Sequence, residues 1–411
     1  MSAIIGSKKI DFSDEQSMLL DVAREFVKDK SPGSEVRRLL ESEGGFSQPV
    51  WQELVDLGWT GINLPESVGG SGLGIGPLIP VIESMGKGLM GTPLVSTVLA
   101  SELIGRAGGI AEEDILEDIS GGVAATVAYL DHSDWGGANS GVTVAEDGLL
   151  SGRKFMVSDA AHAAWIAVVG TNSQGEAVIA LVAGSDVSAQ VQEPHALIDL
   201  TKRAATIDFT GIKARRVLSS EKVAPAIRDY LLIGALLTAA EAVGSTSACL
   251  SGIVDYLKTR KQFGKLIGSF QALKHPTVDI YVGMEQARSL VYHASSEIGE
   301  GPLSTEAEVA CRMAKVQASD TIQYAGDRSV QFHGGFGFTW ECDSSLFIRR
   351  AAWSQQQFGD AVHHRKRLAP RPRLRPRLAP VVVRRPRGGR RPRRTDLDGR
   401  FELLRAQQQR A

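Results

Sequence analysis

The chain has 411 residues, 43% of them hydrophobic and 23% charged, which excludes a collagen-like or wholly disordered protein. A formal net charge of −1 hides an asymmetry: residues 365–411 carry 17 Lys+Arg against 3 Asp+Glu, so the rest of the chain stands at −15. Three widely spaced cysteines, Cys249, Cys311 and Cys342, exclude a disulfide framework and zinc-type pairing and suit a reducing cytoplasm.

Met1–Phe12 contains Lys8, Lys9 and Asp11 and no long apolar stretch, so it does not read as a signal peptide. Ser13 with Gln16 reads as a capping box opening a helix through Lys28, with Leu19, Leu20, Val22, Ala23 and Phe26 at helical spacing. Helical patches follow at Trp51–Gly58, Leu78–Gly86 and Thr92–Ile104, with a glycine-rich loop over residues 69–74. From Ala124 to Leu218 the texture changes to short β-rich runs: Ala124–Leu130, Val142–Ala145, Leu149–Val157, Trp165–Val169, Val178–Val182 and Ala204–Phe209. Turn signals such as Glu146-Asp147-Gly148 separate them, which predicts an antiparallel sheet or small barrel.

Three long helical segments come next: Ile227–Thr259, Phe270–Ile298 with an interruption at Pro276, and Thr305–Phe332. Long helices with short connections predict an antiparallel bundle. The longest apolar run, Leu231–Ala240, is far short of the ~20 residues that cross a bilayer, so no membrane span is expected. Past His364 the pattern gives way to Arg/Pro alternation that cannot build a core. The predicted fold is therefore α+β and multidomain: a helical domain at 1–121, a β-barrel at 122–222, a four-helix bundle at 223–368 and a disordered basic tail at 369–411.

Two segments could carry chemistry. Arg260-Lys261-Gln262-Phe263-Gly264 closes one long helix and Phe270-Gln271 opens the next, displaying a guanidinium, a ring and an amide that suit a phosphate, a planar ring and a base edge. A solvated basic helix end is the plainer alternative. Gln331-Phe332-His333-Gly334-Gly335-Phe336-Gly337 places a glycine cluster after a helix, where bare backbone N–H groups can approach a phosphate, or where the helix simply caps and turns.

Together, in this order, these segments resemble the acyl-CoA dehydrogenase family over residues ~10–368, including Pro65-Glu66 and the glycine loop that follows it. Within the family the chain looks most like the actinobacterial-type branch acting on steroid side-chain, branched or ring-derived acyl-CoA, judged from Gly337-Phe338-Thr339-Trp340-Glu341 and Gly359-Asp360-Ala361-Val362-His363-His364-Arg365. The resemblance implies FAD between barrel and bundle, with its adenosine end shared with a neighbouring subunit in a dimer of dimers. It implies that Arg260 contacts the pyrophosphate and Phe263 the ribityl or adenine region. Gln271, Gln331, Gly334 and Gly335 would meet the adenosine half, and Ser158 the isoalloxazine edge. The implied reaction removes the α-proton of an acyl thioester while the β-hydrogen leaves as hydride to the flavin, with electrons passed to an electron-transfer flavoprotein or similar acceptor.

The sequence departs from the family where a base is needed. The usual Glu seat falls on Gly359 and the second known seat on Gly234, so neither holds a carboxylate. The Asp-x-x-Arg grip on acyl-CoA is replaced by Leu232-Ile233-Gly234-Ala235, and the Thr-Glu-Pro of the middle domain by Leu130-Asp131-His132. Glu241 lies seven residues past Gly234 on roughly the same helix face. If buried among apolar neighbours, its pKa should rise and it could serve as base; otherwise it is a carboxylate paired with an Arg of a neighbouring helix.

Asp360, one residue off the usual base seat, reads as a helix cap or surface Asp, His333 and His363-His364 as structural, Phe338 and Trp340 as bundle packing, and Glu341 as structural; no metal site is expected. The double glycine predicts one subunit of a heteromeric dehydrogenase whose partner supplies the Glu. The alternatives are a homotetramer using Glu241 and a non-catalytic subunit of the same fold. The tail reads as a frame-shifted product of a GC-rich gene, with a basic arm for nucleic acid or anionic membrane as the rival and no motif for specific nucleic-acid recognition.

Overall fold

The computed structural model describes residues 14–369, except 43, 109–111, 133–134, 136–140 and 188–191. The Ser13 cap and the Arg/Pro tail therefore lie outside the described residues. Six helices come first: α1 (Asp14–Lys30), α2 (Gly33–Leu40), α3 (Gln48–Asp56), α4 (Leu78–Lys87), α5 (Leu94–Gly108) and α6 (Glu113–Ser120). Pro32 precedes α2 and Pro49 sits in the first turn of α3, where a missing N–H removes no helical bond. Helices α4 and α5 are buried over most of their length, because α4 crosses the long core helix and α5 is inserted between that helix and the sheet.

The middle region holds eight strands: β1 (Ala125–Ala128), β2 (Val142–Val144), β3 (Leu150–Ser158), β4 (Trp165–Thr171), β5 (Ala177–Ala183), β6 (Gln192–Pro194), β7 (Ala204–Asp208) and β8 (Arg216–Leu218). Their order is β6-β7-β3-β2-β4-β5-β8, with β1 also on β4. This corrects the expected antiparallel barrel, since the described strands do not close into one. Both β1 and β2 run parallel to β4, with Ala125 opposite Trp165 and Thr143 opposite Thr171. The physical reason lies in burial: β1 is covered on both faces and β4 nearly so, as parallel pairing requires, and an unbroken apolar run does not encode strand direction.

The last region comprises α7 (Val223–Thr259), α8 (Gln271–Ser296), α9 (Thr305–His333), α10 (Ser344–Gln356) and α11 (Ala361–Leu368). Helix α7 is apolar and long enough to cross a bilayer, but it is the core of the bundle, enclosed by α4, α5, α8, α9 and α10. The predicted break at Pro276 does not occur; it sits in the second turn of α8, where the loss of one backbone bond is outweighed by packing on α9. Ser304 caps α9 by accepting from the Ala307 N–H, and Asp360 caps α11 by accepting from the His363 N–H at 2.7 Å, the cap being one of the readings its sequence position offered. Phe338 and Trp340 are not bundle packing: both rings are exposed beyond the end of α9.

Lys315 of α9 is wholly buried and donates to the carbonyls of Ser354 at 2.6 Å and Gln355 at 3.3 Å, at the negative end of α10. Burial pulls its pKa from 10.5 down to about 7, against the opposing pull of Asp360 and Asp320. Between those two values the unfolded chain binds more protons than the folded one, so this group makes stability rise with pH. Lys315→Met is expected to flatten that alkaline rise, read as melting temperature against pH from 7 to 10; an unchanged slope would show that the ammonium is not desolvated.

Candidate active site

A cleft of about 80 Å³ opens where α5, the β1–β3 side of the sheet, α7 and the end of α10 meet. Its polar end carries Ser96, Thr126, Ser158, Asp159, Lys202 and Glu241. Ser158 ends β3, and its carbonyl accepts from Thr126 Oγ1 at 2.6 Å. Asp159 follows with a positive φ of 52° and accepts from Ser96 Oγ at 2.6 Å. Burial raises the Asp159 pKa, opposed by Ser96 and by Lys202.

Glu241 lies in this cleft, but not as the raised-pKa carboxyl that sequence reasoning expected. Lys202 Nζ donates to its Oε1 at 2.6 Å, and Arg350 Nη1 of α10 pairs with the same oxygen at 2.9 Å. Burial alone would push the carboxyl up; Arg350 and Lys202 outweigh it and hold the carboxyl below the usual range. Arg350 also clasps Asp199, whose carboxyl accepts from Thr201 Oγ1 at 2.7 Å, so a buried ion network joins the β6–β7 connection to α7 and α10. The alternative reading of Glu241, a carboxylate paired with an Arg of a neighbouring helix, is the one observed.

The other end of the cleft is aromatic. Tyr230 stands 5.8 Å from Tyr129 and 5.6 Å from Phe358, and Trp135 lies 4.5 Å from Phe358. Gly234 sits directly beneath the Phe358 ring: a Cβ there would come within 2.3 Å of it. Phe358 and Gly359 both have positive φ, 56° and 95°, which turns the chain so that the ring enters the space between α7 and α10. Gly234 is thus a packing position, and the room a side chain would need over it is taken by the Phe358 ring, while a Cβ at Gly359 would meet His363.

The remaining predicted residues form a separate cluster at the far end of the bundle. Arg260 and Gln271 are exposed, Phe263 is 90% exposed with φ 54°, and its ring meets Phe270 edge-on at 6.2 Å. Gln331, Gly334 and Gly335 lie exposed at the end of α9, with open space where either glycine would carry a Cβ. Tyr256 joins the two motifs, stacking on His333 at 4.4 Å and donating to its carbonyl at 3.4 Å. None of these residues lines the cleft that holds Ser158 and Glu241.

The donor set suits FAD. A guanidinium, two amides and an uncovered Gly-Gly backbone match a pyrophosphate and an adenosine presented from outside this chain. In the cleft, Ser158 carries a hydroxyl that could meet a flavin edge, while the Thr126 hydroxyl already donates to the Ser158 carbonyl. Sequence reasoning missed Asp159, Lys202, Tyr129 and Tyr230; Asp159, adjacent to Ser158, was the only one with a local signal.

The sequence model "Acyl-CoA dehydrogenase, N-terminal domain" matches residues 13–112, and "Acyl-CoA dehydrogenase, C-terminal domain" matches residues 225–371. Acyl-CoA dehydrogenase IpdE2 of Mycobacterium tuberculosis is 30% identical over 346 residues, 84% of this chain and 92% of that protein. This chain belongs to the acyl-CoA dehydrogenase family, a family of oxidoreductases whose cofactor is FAD. Among solved structures, a variant of the Tcur3481-Tcur3483 steroid ACAD superposes with a TM-score of 0.77 at 27% identity, covering 86% of this chain and 96% of that one. The ChsE4-ChsE5 complex from Mycobacterium tuberculosis shares the fold, with a TM-score of 0.78 at 23% identity over 90% of this chain and 100% of that one.

Proposed function

We propose that this chain is one subunit of a heteromeric acyl-CoA dehydrogenase, in which a partner subunit supplies the Glu that removes the α-proton. The observation that carries this reading is the pair Gly234 and Gly359, with Phe358 packed into the space over the first. An α-proton beside a thioester is weakly acidic, so its removal needs a positioned carboxylate, a contribution of roughly 10²–10⁴-fold in rate. Glu241 is a poor substitute, because Lys202 and Arg350, both beside its Oε1, hold it below the usual carboxylate range and so make it a weaker base.

When bound, FAD takes up the β-hydrogen as hydride. This chain's own residues have the other tasks: Arg260, Phe263, Gln271, Gln331, Gly334 and Gly335 would hold the cofactor's nucleotide half at a subunit boundary, and Ser158 would meet the isoalloxazine edge. The name of one similar structure, a steroid ACAD, supports a steroid-derived acyl-CoA as substrate. An electron-transfer flavoprotein or similar acceptor would take the electrons. The buried free thiols of Cys249, Cys311 and Cys342 suit a cytoplasmic setting. The narrow cleft and its aromatic end also favour a second reading, a structural subunit with no substrate site of its own.

Purified alone, the chain is expected to show no acyl-CoA-dependent reduction of an electron-accepting dye; co-purified with its partner, it should show turnover that is lost when the partner's base is changed from Glu to Gln. Robust desaturation by the single chain, abolished by Glu241→Gln, would overturn the heteromeric reading.

A further inference from the structure

A second cavity, of about 280 Å³, lies on the other side of Phe358 from the cleft, between α7, α9 and α11. Its floor is apolar, built from Ile227, Leu231 and Leu232 of α7; Arg228, Arg312, Arg367, His363 and His364 supply its cationic and imidazole groups, and Tyr129, Trp135 and Phe358 close the aromatic side. Among the described residues no carboxylate lines it. The volume is near the lower end of small-ligand pockets, roughly 300 Å³.

His364 is the informative group. It is 1% exposed, and its Nδ1 lies 3.2 Å from Arg312 Nη1. A guanidinium can only donate, so Nδ1 is the acceptor and the ring hydrogen is on Nε2. That Nε2–H is buried without a hydrogen-bond partner among the described residues, although the Phe358 carbonyl faces the ring. Burial, with Lys315, Arg312 and His363 nearby, lowers the pKa to about 3, so the imidazole stays neutral and the donor stays in place across the physiological range.

The guanidiniums around it are oriented beforehand. Arg228 is fixed through Nε and Nη2 by Asp229 and by the Leu303 carbonyl, and its Nη1 has no partner among the described residues. Arg312 is fixed through Nε by Glu308 at 3.0 Å. An orphan N–H at depth, guanidinium edges at the rim and a hydrocarbon floor are complementary to a molecule with an oxyanion at one end and an apolar body.

We propose that this cavity binds a small apolar carboxylate, whose oxygens accept from His364 Nε2–H and from the Arg228 and Arg367 guanidiniums while its hydrocarbon rests on Ile227, Leu231 and Leu232. The six residues that would hold this ligand lie outside the interdomain cleft, while Tyr129, Trp135 and Phe358 form the wall that the two cavities share.

The test is titration calorimetry on the full chain, with its partner if the two co-purify, using cyclohexanecarboxylate as probe and cyclohexylmethanol as its neutral counterpart. The carboxylate is expected to bind once per chain and the alcohol at least tenfold more weakly. Arg367→Gln, an exposed change that leaves the core intact, should weaken carboxylate binding several-fold. Leu231→Trp, which fills the floor, should abolish it, and His364→Phe should do so in a chain whose melting temperature is checked in parallel. Absence of saturable binding, or equal affinity in wild type, Arg367→Gln and Leu231→Trp, would sink the proposal. Displacement of the probe by CoA carrying no acyl group, with tighter binding of CoA, would also overturn it, since the cationic rim would then be reading phosphates.

Discussion

Alanine at Gly244 is expected to destabilise the protein severely, whereas alanine at Gly252, about two turns further along α7, is expected to stabilise it slightly. At Gly244 a Cβ would lie 1.8 Å from the Glu83 carbonyl oxygen of α4, and the reciprocal Gly86 would place one 2.1 Å from the Glu241 carbonyl oxygen. Those atoms are backbone, so no rotamer change relieves the clash and the two helices must move apart. Overpacking in a rigid core typically costs ~1–3 kcal/mol, and a backbone clash of this depth belongs at or above the upper end. At Gly252 nothing lies within 4 Å, so the substitution only removes glycine's helix penalty, a gain of about 0.5–1 kcal/mol. Urea midpoints for the two variants, measured side by side, decide the matter; equal shifts would mean that α4 and α7 do not cross at these glycines.

Loss of Arg350 should be of similar size. Its side chain is fully buried between Asp199 and Glu241, and Arg350→Met would leave two buried carboxylates with only Lys202 near them. Breaking a buried pair from one side costs about 3–5 kcal/mol. The pH dependence gives the sign of the mechanism. In the wild type both carboxyls are held below their usual values by Arg350 and Lys202 against the cost of burial, so their contribution is full above pH ~4 and is lost as pH falls through the lower folded values. In Arg350→Met the buried carboxyls gain from protonation, so the stability deficit should be largest near pH 7 and shrink towards pH 4. Adding Glu241→Gln to Arg350→Met should recover part of the loss. A deficit independent of pH would assign the effect of Arg350 to packing alone.

The elements that could be read locally share one property: short-range pattern determines them. The runs at Trp165–Val169 and Val178–Val182 lie within the strands β4 and β5, because buried β runs bounded by turn residues have few other solutions. Helix α7 was legible because more than thirty residues after Pro225 pass with no breaker other than three spaced glycines, Gly234, Gly244 and Gly252, and Asp360 because a cap acts three residues away. The collinear order of the Arg260 and Gln331 segments likewise sufficed to suggest the family that the comparisons then showed.

The tertiary structure alone decided the rest. Strand direction in β1 and β2 depends on which edge of β4 is free, and α10 and α11, rich in Gln, Arg and His, carry weak apolar periodicity and become helical against α9. Whether the Glu241 carboxyl rises or falls depended on Lys202 and Arg350, which reach it from another loop and another helix. Residue identity showed that Gly234 and Gly359 lack a carboxylate; only the fold shows that Phe358 fills the space above Gly234 and that His364 faces a second cavity. Burial and charge pairing are properties of neighbours in space, and a chain that folds back from residue 358 onto residue 234 brings together groups that no local pattern relates.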